Sequence, residues 1–324
     1  MKRLLLGGVA AVLTLGTAIH THAADAWPAK PLTLVVPFGA GSSPDIMARI
    51  VGEEAAKTLK QSIIVQNKPG ASGNLGTDVI AKAKPDGYTF GVSITGPMVN
   101  NAVIYKNLPY NPQTDLTPLT MGLHQYNVLV VAANSPIRSL ADLVAESKKP
   151  NARLNFPSTG AGTVSHLAVE LLLDRVGGKA VHVPYKSSPD AVTSLLSGDT
   201  SFAALPPVAV VPMIQDGRLR PLAAVSAKRL EFLPELPTVA ELGYPGVEGS
   251  GWIGFFAPAG IAPATKAQLN AALVKALETP EVKTRLKGMN MEAAPSSPEA
   301  FAKYMDDERQ RWWPLIKRLG LSEN

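Results

Sequence analysis

The 324-residue chain contains no cysteine. That excludes disulfide frameworks, thiolate zinc sites, cysteine nucleophiles and cysteine-ligated iron–sulfur clusters. Aromatic residues make up 6% of the chain and charged residues 18%. No basic run is interleaved with aromatics, so no nucleic-acid partner is expected. Histidine is scarce: His20 and His22 lie near the N-terminus, and His124, His166 and His182 are scattered. Scattered histidines do not supply the clustered ligands of a zinc site, and neither metal nor cofactor is expected. Beyond the first two dozen residues no apolar run is long enough to span a bilayer. Hydrophobic residues, at 46%, are ample for sizeable cores, and at roughly 100–200 residues per domain the length predicts two lobes.

Met1-Lys2-Arg3 is a short basic start, Leu4 to Ile19 carries no charge, and Thr21-His22-Ala23 closes the segment with small residues at cleavage spacing. This pattern predicts a Sec-type signal peptide over 1–23, with the mature chain starting at Ala24 or Asp25 and exported to the periplasm. Removing Lys2 and Arg3 leaves 29 basic against 26 acidic residues, a net charge of +3. Such a balance implies solubility more than a strongly charged partner.

Leu32 to Phe38 reads as a buried strand, Gly39 to Asp45 as a tight loop, and Ile46 to Leu59 as a helix by its apolar spacing. Strand 62–66, a Gly-rich loop 67–74, a helix to about Lys84 and strand 88–94 follow. The alternation predicts an α/β lobe with a largely parallel sheet. A second alternation runs from Asn127 through Leu154–Phe156, an apolar helix 164–176, Val181–Tyr185 and Phe202–Leu205 to Leu222–Val225. Trp252 to Phe256 is a further strand, and two helices, 263–278 and 298–319, close the chain. Lobe 1 is expected to be 24–125 plus 248–324, and lobe 2 to be 126–247.

One feature recurs in each half. Strand 32–38 empties into a Gly-rich loop ending at Ser43-Pro44, with Ser43 as the expected N-cap and Pro44 at the first helical position. Phe156 empties into Gly160-Ala161-Gly162, with Thr163 placed to cap the helix that carries His166. Each arrangement offers free amides and the positive end of a helix dipole, a generic anion cradle. Two cradles facing one another suit a ligand with two carboxylates, or with one carboxylate and another polar end. Asp45 is placed to satisfy the first cradle from within, and His166 to orient the second through a ring hydrogen bond. Neither loop is a Walker A sequence or a dinucleotide fingerprint. A Ser158–His166 pair is the formal alternative, an exported hydrolase, but no Gly-x-Ser-x-Gly elbow accompanies it.

Trp27-Pro28-Ala29-Lys30-Pro31 with Leu34-Val35-Val36-Pro37-Phe38 resembles the start of the Bug-type solute-binding proteins, the extracytoplasmic receptors of tripartite tricarboxylate transporters. Asn67 to Asn74, Pro85-Asp86-Gly87-Tyr88-Thr89, Ser165-His166-Leu167-Ala168, Val183-Pro184-Tyr185-Lys186, Leu236 to Glu241 and Phe256 to Gly260 are similar to further blocks of that family. The resemblance spans the mature chain in order. It implies a two-lobed Venus-flytrap fold of the type II-like class and no enzymatic activity. It also implies a monomer, a small-molecule carboxylate ligand, and a cognate inner-membrane permease or, alternatively, a signalling partner.

By the resemblance, Phe38, Gly39, Ala40, Gly41, Ser42, Ser43 and Asp45, with Ser72, Gly73, Asn74 and Thr95, serve one end of the ligand. Ser158, Thr159, Ala161, Gly162, Thr163 and His166, with Leu205, serve the other. The chain departs from the family pattern in three places, one of them Ser187-Ser188 where the family commonly has Gly-Gly. Ser42-Ser43-Pro44 stands where the family has Gly-Gly-Thr, and Leu205 stands where it often has an aspartate. With no acid there to pair with an ammonium group, the expected ligand is an aromatic or aliphatic carboxylate rather than an amino acid.

Overall fold

A computed structural model describes residues 27–323; the expected signal peptide and its cleavage point lie outside the described residues. The elements in chain order are β1 (Leu32–Val36), α1 (Ser43–Leu59), β2 (Ile63–Asn67), α2 (Asn74–Ala81), β3 (Thr89–Ile94), a π-type turn (Gly96–Asn100) running into α3 (Asn101–Ile104), and β4 (Leu116–Gln125). The second group is β5 (Val128–Ala132), α4 (Leu140–Ser147), β6 (Asn155–Ser158), α5 (Val164–Val176), β7 (Val181–Pro184), α6 (Ser188–Ser197), β8 (Ala203–Leu205), α7 (Pro207–Gln215) and β9 (Leu219–Ala224). The chain closes with β10 (Gly251–Pro258), α8 (Pro263–Glu278), α9 (Pro280–Gly288), β11 (Glu292–Ala293) and α10 (Pro298–Leu319).

Six strands form the larger sheet in the order β11-β4-β10-β3-β1-β2. Only β1 pairs in parallel, with β2 and β3; β10 runs antiparallel between β3 and β4. The expectation of a largely parallel sheet is therefore corrected to a mixed one. The returning chain inserts β10, whose eight residues are all buried, into the middle of the sheet. Helix α1 packs one face of this sheet together with α8, around a core that includes Leu34, Met47, Phe255 and Leu273. On the other face Val35, Ile80, Trp252, Phe256 and Phe301 form a second cluster, with the Trp252 indole edge-on to the Phe301 ring.

The second lobe carries two small sheets, β8-β5-β9 and β6-β7. Strand β5 is antiparallel to β8, with Val128 opposite Leu205. The starts of β6 and β8 are tied by Ser201 N–H to Asn155 O at 3.0 Å, so both strands run toward one edge. Local sequence sets the helix starts: Ser139 and Asp142 form a reciprocal capping box at α4, and Ser187 caps α6.

The strands of the larger sheet stop at Gln125 and resume at Gly251, and the two small sheets lie between, from Val128 to Ala224. Helix α10 touches both lobes. Its Trp312 and Ile316 bury with Ile104 of the first and Leu167 of the second, Trp313 donates to Val99 O at 2.9 Å, and Arg318 pairs with Asp174 at 2.6 Å. Strand β4 and helices α3, α7 and α9 were not expected from the sequence. The interruption of β4 by Pro118 and Gly122, and of α7 by Pro212, blurs their periodicity. Among the described residues no helix is long and apolar enough to cross a membrane.

Candidate ligand cleft

The facing edges of the two lobes are made by strand ends and the loops they feed. Lobe 1 presents the exit of β1, the exit of β3 at Thr95, and the start of β10. Lobe 2 presents the exits of β6 and β8 and the start of β5. Both Gly-rich loops stand on these edges, and they have the same construction. Gly41 and Gly162 adopt φ of +75° and +76°, a left-handed conformation that favours glycine. Ser42 and Thr163 are the N-cap residues, and neither hydroxyl caps its helix. Each turns back instead and donates to the carbonyl three residues earlier: Ser42 Oγ to Gly39 O and Thr163 Oγ1 to Gly160 O, both at 2.6 Å.

The expectation that Ser43 caps α1 and that Thr163 caps α5 is thus corrected. Ser43 is the first helical residue, and the two cap hydroxyls brace the loops. Neither helix start has a side-chain cap; the first turn of α1 carries the carboxylate of Asp45, while that of α5 carries no acid, so the positive end of α5 remains available to an anion.

The loop amides are a different matter. Gly41 N–H donates to Asp45 Oδ2 at 2.9 Å and Gly162 N–H to His166 Nδ1 at 3.1 Å. In each loop a side chain four residues on occupies the central amide. Asp45 is held in turn by Arg49 Nε at 3.0 Å and Asn67 Nδ2 at 2.9 Å, and the Nε2 of His166 stands 3.5 Å from Glu170. Burial alone raises the Asp45 carboxyl, but the hydrogen bonds from Arg49, Gly41 and Asn67 outweigh it and hold the group below the ordinary carboxylate range. Asp45 and His166 therefore shape the loops from within, through the Gly41 and Gly162 amides, as the sequence predicts for these two side chains.

The loops meet other segments across the gap. Gly39 N–H donates to Lys186 O at 3.2 Å, and a side chain on Gly39 would stand 3.0 Å from Ser187 Cβ. Loop 160–163 lies against Ser72, Gly96 and Asn100, with Asn100 Nδ2 donating to Gly162 O at 2.8 Å. The lobes are closed on each other. Ala40 and Gly41 remain exposed at the loop tip, while Phe38 is buried.

The other expected residues are accounted for one by one. Ser72 accepts from Tyr105 at 2.7 Å, and Asn74 Oδ1 accepts from Asn101 and Tyr110. Gly73 has no room for a side chain beside Phe38 and Pro97. Thr95 Oγ1 accepts from Trp252 N–H at 3.1 Å. Thr159 is tied to Ser165, and Ala161 is buried in the loop. Leu205 belongs to an apolar cluster with Val128, Ala191 and Leu236, which places its side chain in the core of the lobe.

Ser158 has a ring partner, but it is His182 (Oγ to Nε2, 2.5 Å) and not His166, which corrects the pair expected for a hydrolase. Ser158 donates to Gly160 O and accepts from Gly160 N–H, so the His182 contact is completed by a ring N–H. Burial and the stacked His166, 3.9 Å away ring to ring, push His182 down to about 3. With the His166 lone pair taken by Gly162, no free base faces this serine. Among the described residues no three histidine or acidic side chains gather to hold a metal.

Several buried polar atoms at these edges have no partner: Ser43 Oγ, Asn100 Oδ1, Asn101 Oδ1, and both Nδ2 and Oδ1 of Asn127. Such a group costs about 1–3 kcal/mol when left unmade, so a closed cleft with these atoms calls for a polar occupant. Asn127 went unremarked in the sequence because a lone polar residue before an apolar run carries no signal of its own.

Residues 47–321 match the model of the family described as "Tripartite tricarboxylate transporter family receptor". The chain belongs to this family. Its fold is shared closely by solved structures of the family's kind. The periplasmic binding protein BugD superposes with a TM-score of 0.87 at 30% identity, over 92% of this chain and 100% of that one. Rpa4515 of R. palustris, solved with adipate, gives 0.87 at 31% identity, over 91% and 99%. MatC of Rhodopseudomonas palustris, solved with bound malate, gives 0.85 at 29% identity, over 90% and 99%. The receptor is thus a two-lobed solute-binding protein and not an enzyme.

Proposed function

We propose that this receptor captures a small organic carboxylate, an aliphatic or aromatic mono- or dicarboxylate, between its lobes in the periplasm and presents it to a cognate inner-membrane permease. Lobe 1 in this reading comprises 24–125 with 248–324, and lobe 2 comprises 126–247. The observation that carries it is the start of α5, which meets the cleft with neither a side-chain cap nor an acidic residue in its first turn. Such a terminus favours an anion by roughly 0.3–2 kcal/mol, and hydrogen bonds to a charged group add about 1.5–3 kcal/mol each. A few of these with burial of an apolar body reach micromolar affinity, about −8 kcal/mol. The adipate and malate held by structural relatives support the same ligand class. Lobe closure sequesters the ligand, and the permease reads the closed shape.

A thermal-shift panel of mono- and dicarboxylates tests this. A true ligand at a hundredfold excess over its dissociation constant stabilises by about 2.7 kcal/mol, or roughly 5–10 °C for a domain of 150–250 residues. A broad panel that moves nothing would refute the reading.

A further inference from the structure

Asn127 stands apart from the other buried amides of the cleft. Asn74, Asn100 and Asn101 each make at least one side-chain hydrogen bond. Asn127 is fully buried and makes none, at either the Nδ2 or the Oδ1 atom. Its backbone is fixed, since Asn127 O accepts from Val225 N–H at 2.9 Å. It immediately precedes Val128, which pairs with Leu205, and so sits on the edge of lobe 2 that faces lobe 1. Strand alternation puts its side chain on the face of Leu129, the face that packs with Ala168 and Val169 of α5. The amide thus lies beside the helix whose uncapped start meets the cleft.

We infer that Asn127 is a specificity-determining subsite that reads a hydroxyl group on the carbon chain of the bound carboxylate. This deepens the carboxylate reading above and rests on it. The reason lies in the amide's inventory. A carboxamide offers two donor hydrogens and an acceptor oxygen. A methylene leaves both ends unmade, and a carboxylate satisfies only the donors. A hydroxyl donates and accepts at once and so satisfies both. A site with a buried polar group waiting for a substrate hydroxyl strongly rejects the analogue that lacks it, because that group is then left unpaired.

The test is calorimetric titration of the mature protein with matched acids that differ by one hydroxyl: succinate against malate, glutarate against 2-hydroxyglutarate, adipate against 3-hydroxyadipate. The hydroxylated member of at least one pair is expected to bind about tenfold or more tightly than its partner. Asn127→Leu is expected to erase that ratio by weakening the hydroxy acid more than the plain acid. Asn127→Thr, smaller and still polar, is expected to retain part of it. The wild-type ratio needs no variant, so the test stands even if Asn127→Leu fails to fold. Equal affinities within every pair would mean that only water fills the subsite, and would overturn this inference alone. A ratio that survives in Asn127→Leu would assign the recognition to another group and overturn it equally. No binding by any of these acids would overturn this inference, and the carboxylate reading falls with it where the broad thermal-shift panel also moves nothing.

Discussion

Replacing Asp45 by alanine separates a loop brace from a ligand grip. The carboxylate accepts from Gly41 N–H and Asn67 Nδ2, each at 2.9 Å, and from Arg49 Nε at 3.0 Å. Hydrogen bonds to a charged group contribute about 1.5–3 kcal/mol each. The sum is smaller here, because the exposed Gly41 amide and the half-exposed Arg49 regain water when the acceptor goes, and Asn67 keeps its bond to Phe38 O. The expected cost is about 2 kcal/mol, or roughly 4–8 °C in Tm for a domain of 150–250 residues.

The pH dependence identifies the source. The folded carboxyl is held below its ordinary value of 3.8, so the unfolded chain takes up the proton first as pH falls. The stabilisation is therefore complete well above 3.8 and lost as pH drops through the folded value. Urea midpoints of wild type and Asp45→Ala at pH 7 and pH 3 measure it, since other acid-sensitive groups cancel in the difference. A gap below about 0.5 kcal/mol at pH 7 would show that the network contributes nothing beyond an exposed ion pair. A gap that stays constant down to pH 3 would show that it does not depend on the carboxylate charge.

Three further outcomes are expected. His182, pushed down to about 3 against 6.5 in the unfolded chain, stays neutral in the fold, so wild type loses stability relative to His182→Gln as pH falls through 6.5. The loss reaches about 2 kcal/mol by pH 5, and urea midpoints that track each other from pH 7 to pH 5 would contradict it. In Gly39→Val the new side chain presses on Ser187 Cβ, 3.0 Å from the Cβ position. It is expected to hold the lobes apart and weaken ligand binding by about tenfold, or about 1.4 kcal/mol, with X-ray scattering showing a larger liganded radius; unchanged affinity would deny that this contact closes the mouth. In Gly73→Ala the methyl would lie 2.7 Å from the Phe38 ring at a φ of +90°, which predicts a loss of about 2 kcal/mol or more on chemical denaturation, and a midpoint equal to wild type would show that the loop gives way.

The periodic stretches were legible in the sequence because their physics is local. The apolar run of β1, the spacing of α1 and α5, and the Pro298 and Gly320 that bracket α10 each declare an element without reference to the rest of the chain. The matched Gly-Ala-Gly loops, and the i+4 positions of Asp45 and His166, could be read for the same reason. The donor choices within them could not. Whether the Ser42 and Thr163 hydroxyls cap a helix or brace a loop carbonyl depends on differences of about 1 kcal/mol between competing hydrogen bonds.

What the tertiary structure alone decided is everything that joins distant residues. It placed β10 antiparallel in the centre of a sheet expected to be largely parallel. It set His182 rather than His166 against Ser158, and laid Lys186 to Pro189 over Gly39 and Gly41. It also left Asn127 buried with both amide atoms unmatched. Side-chain partners more than a hundred residues apart leave no periodic trace, because they are chosen by the packing of whole lobes and not by the propensities of neighbours along the chain.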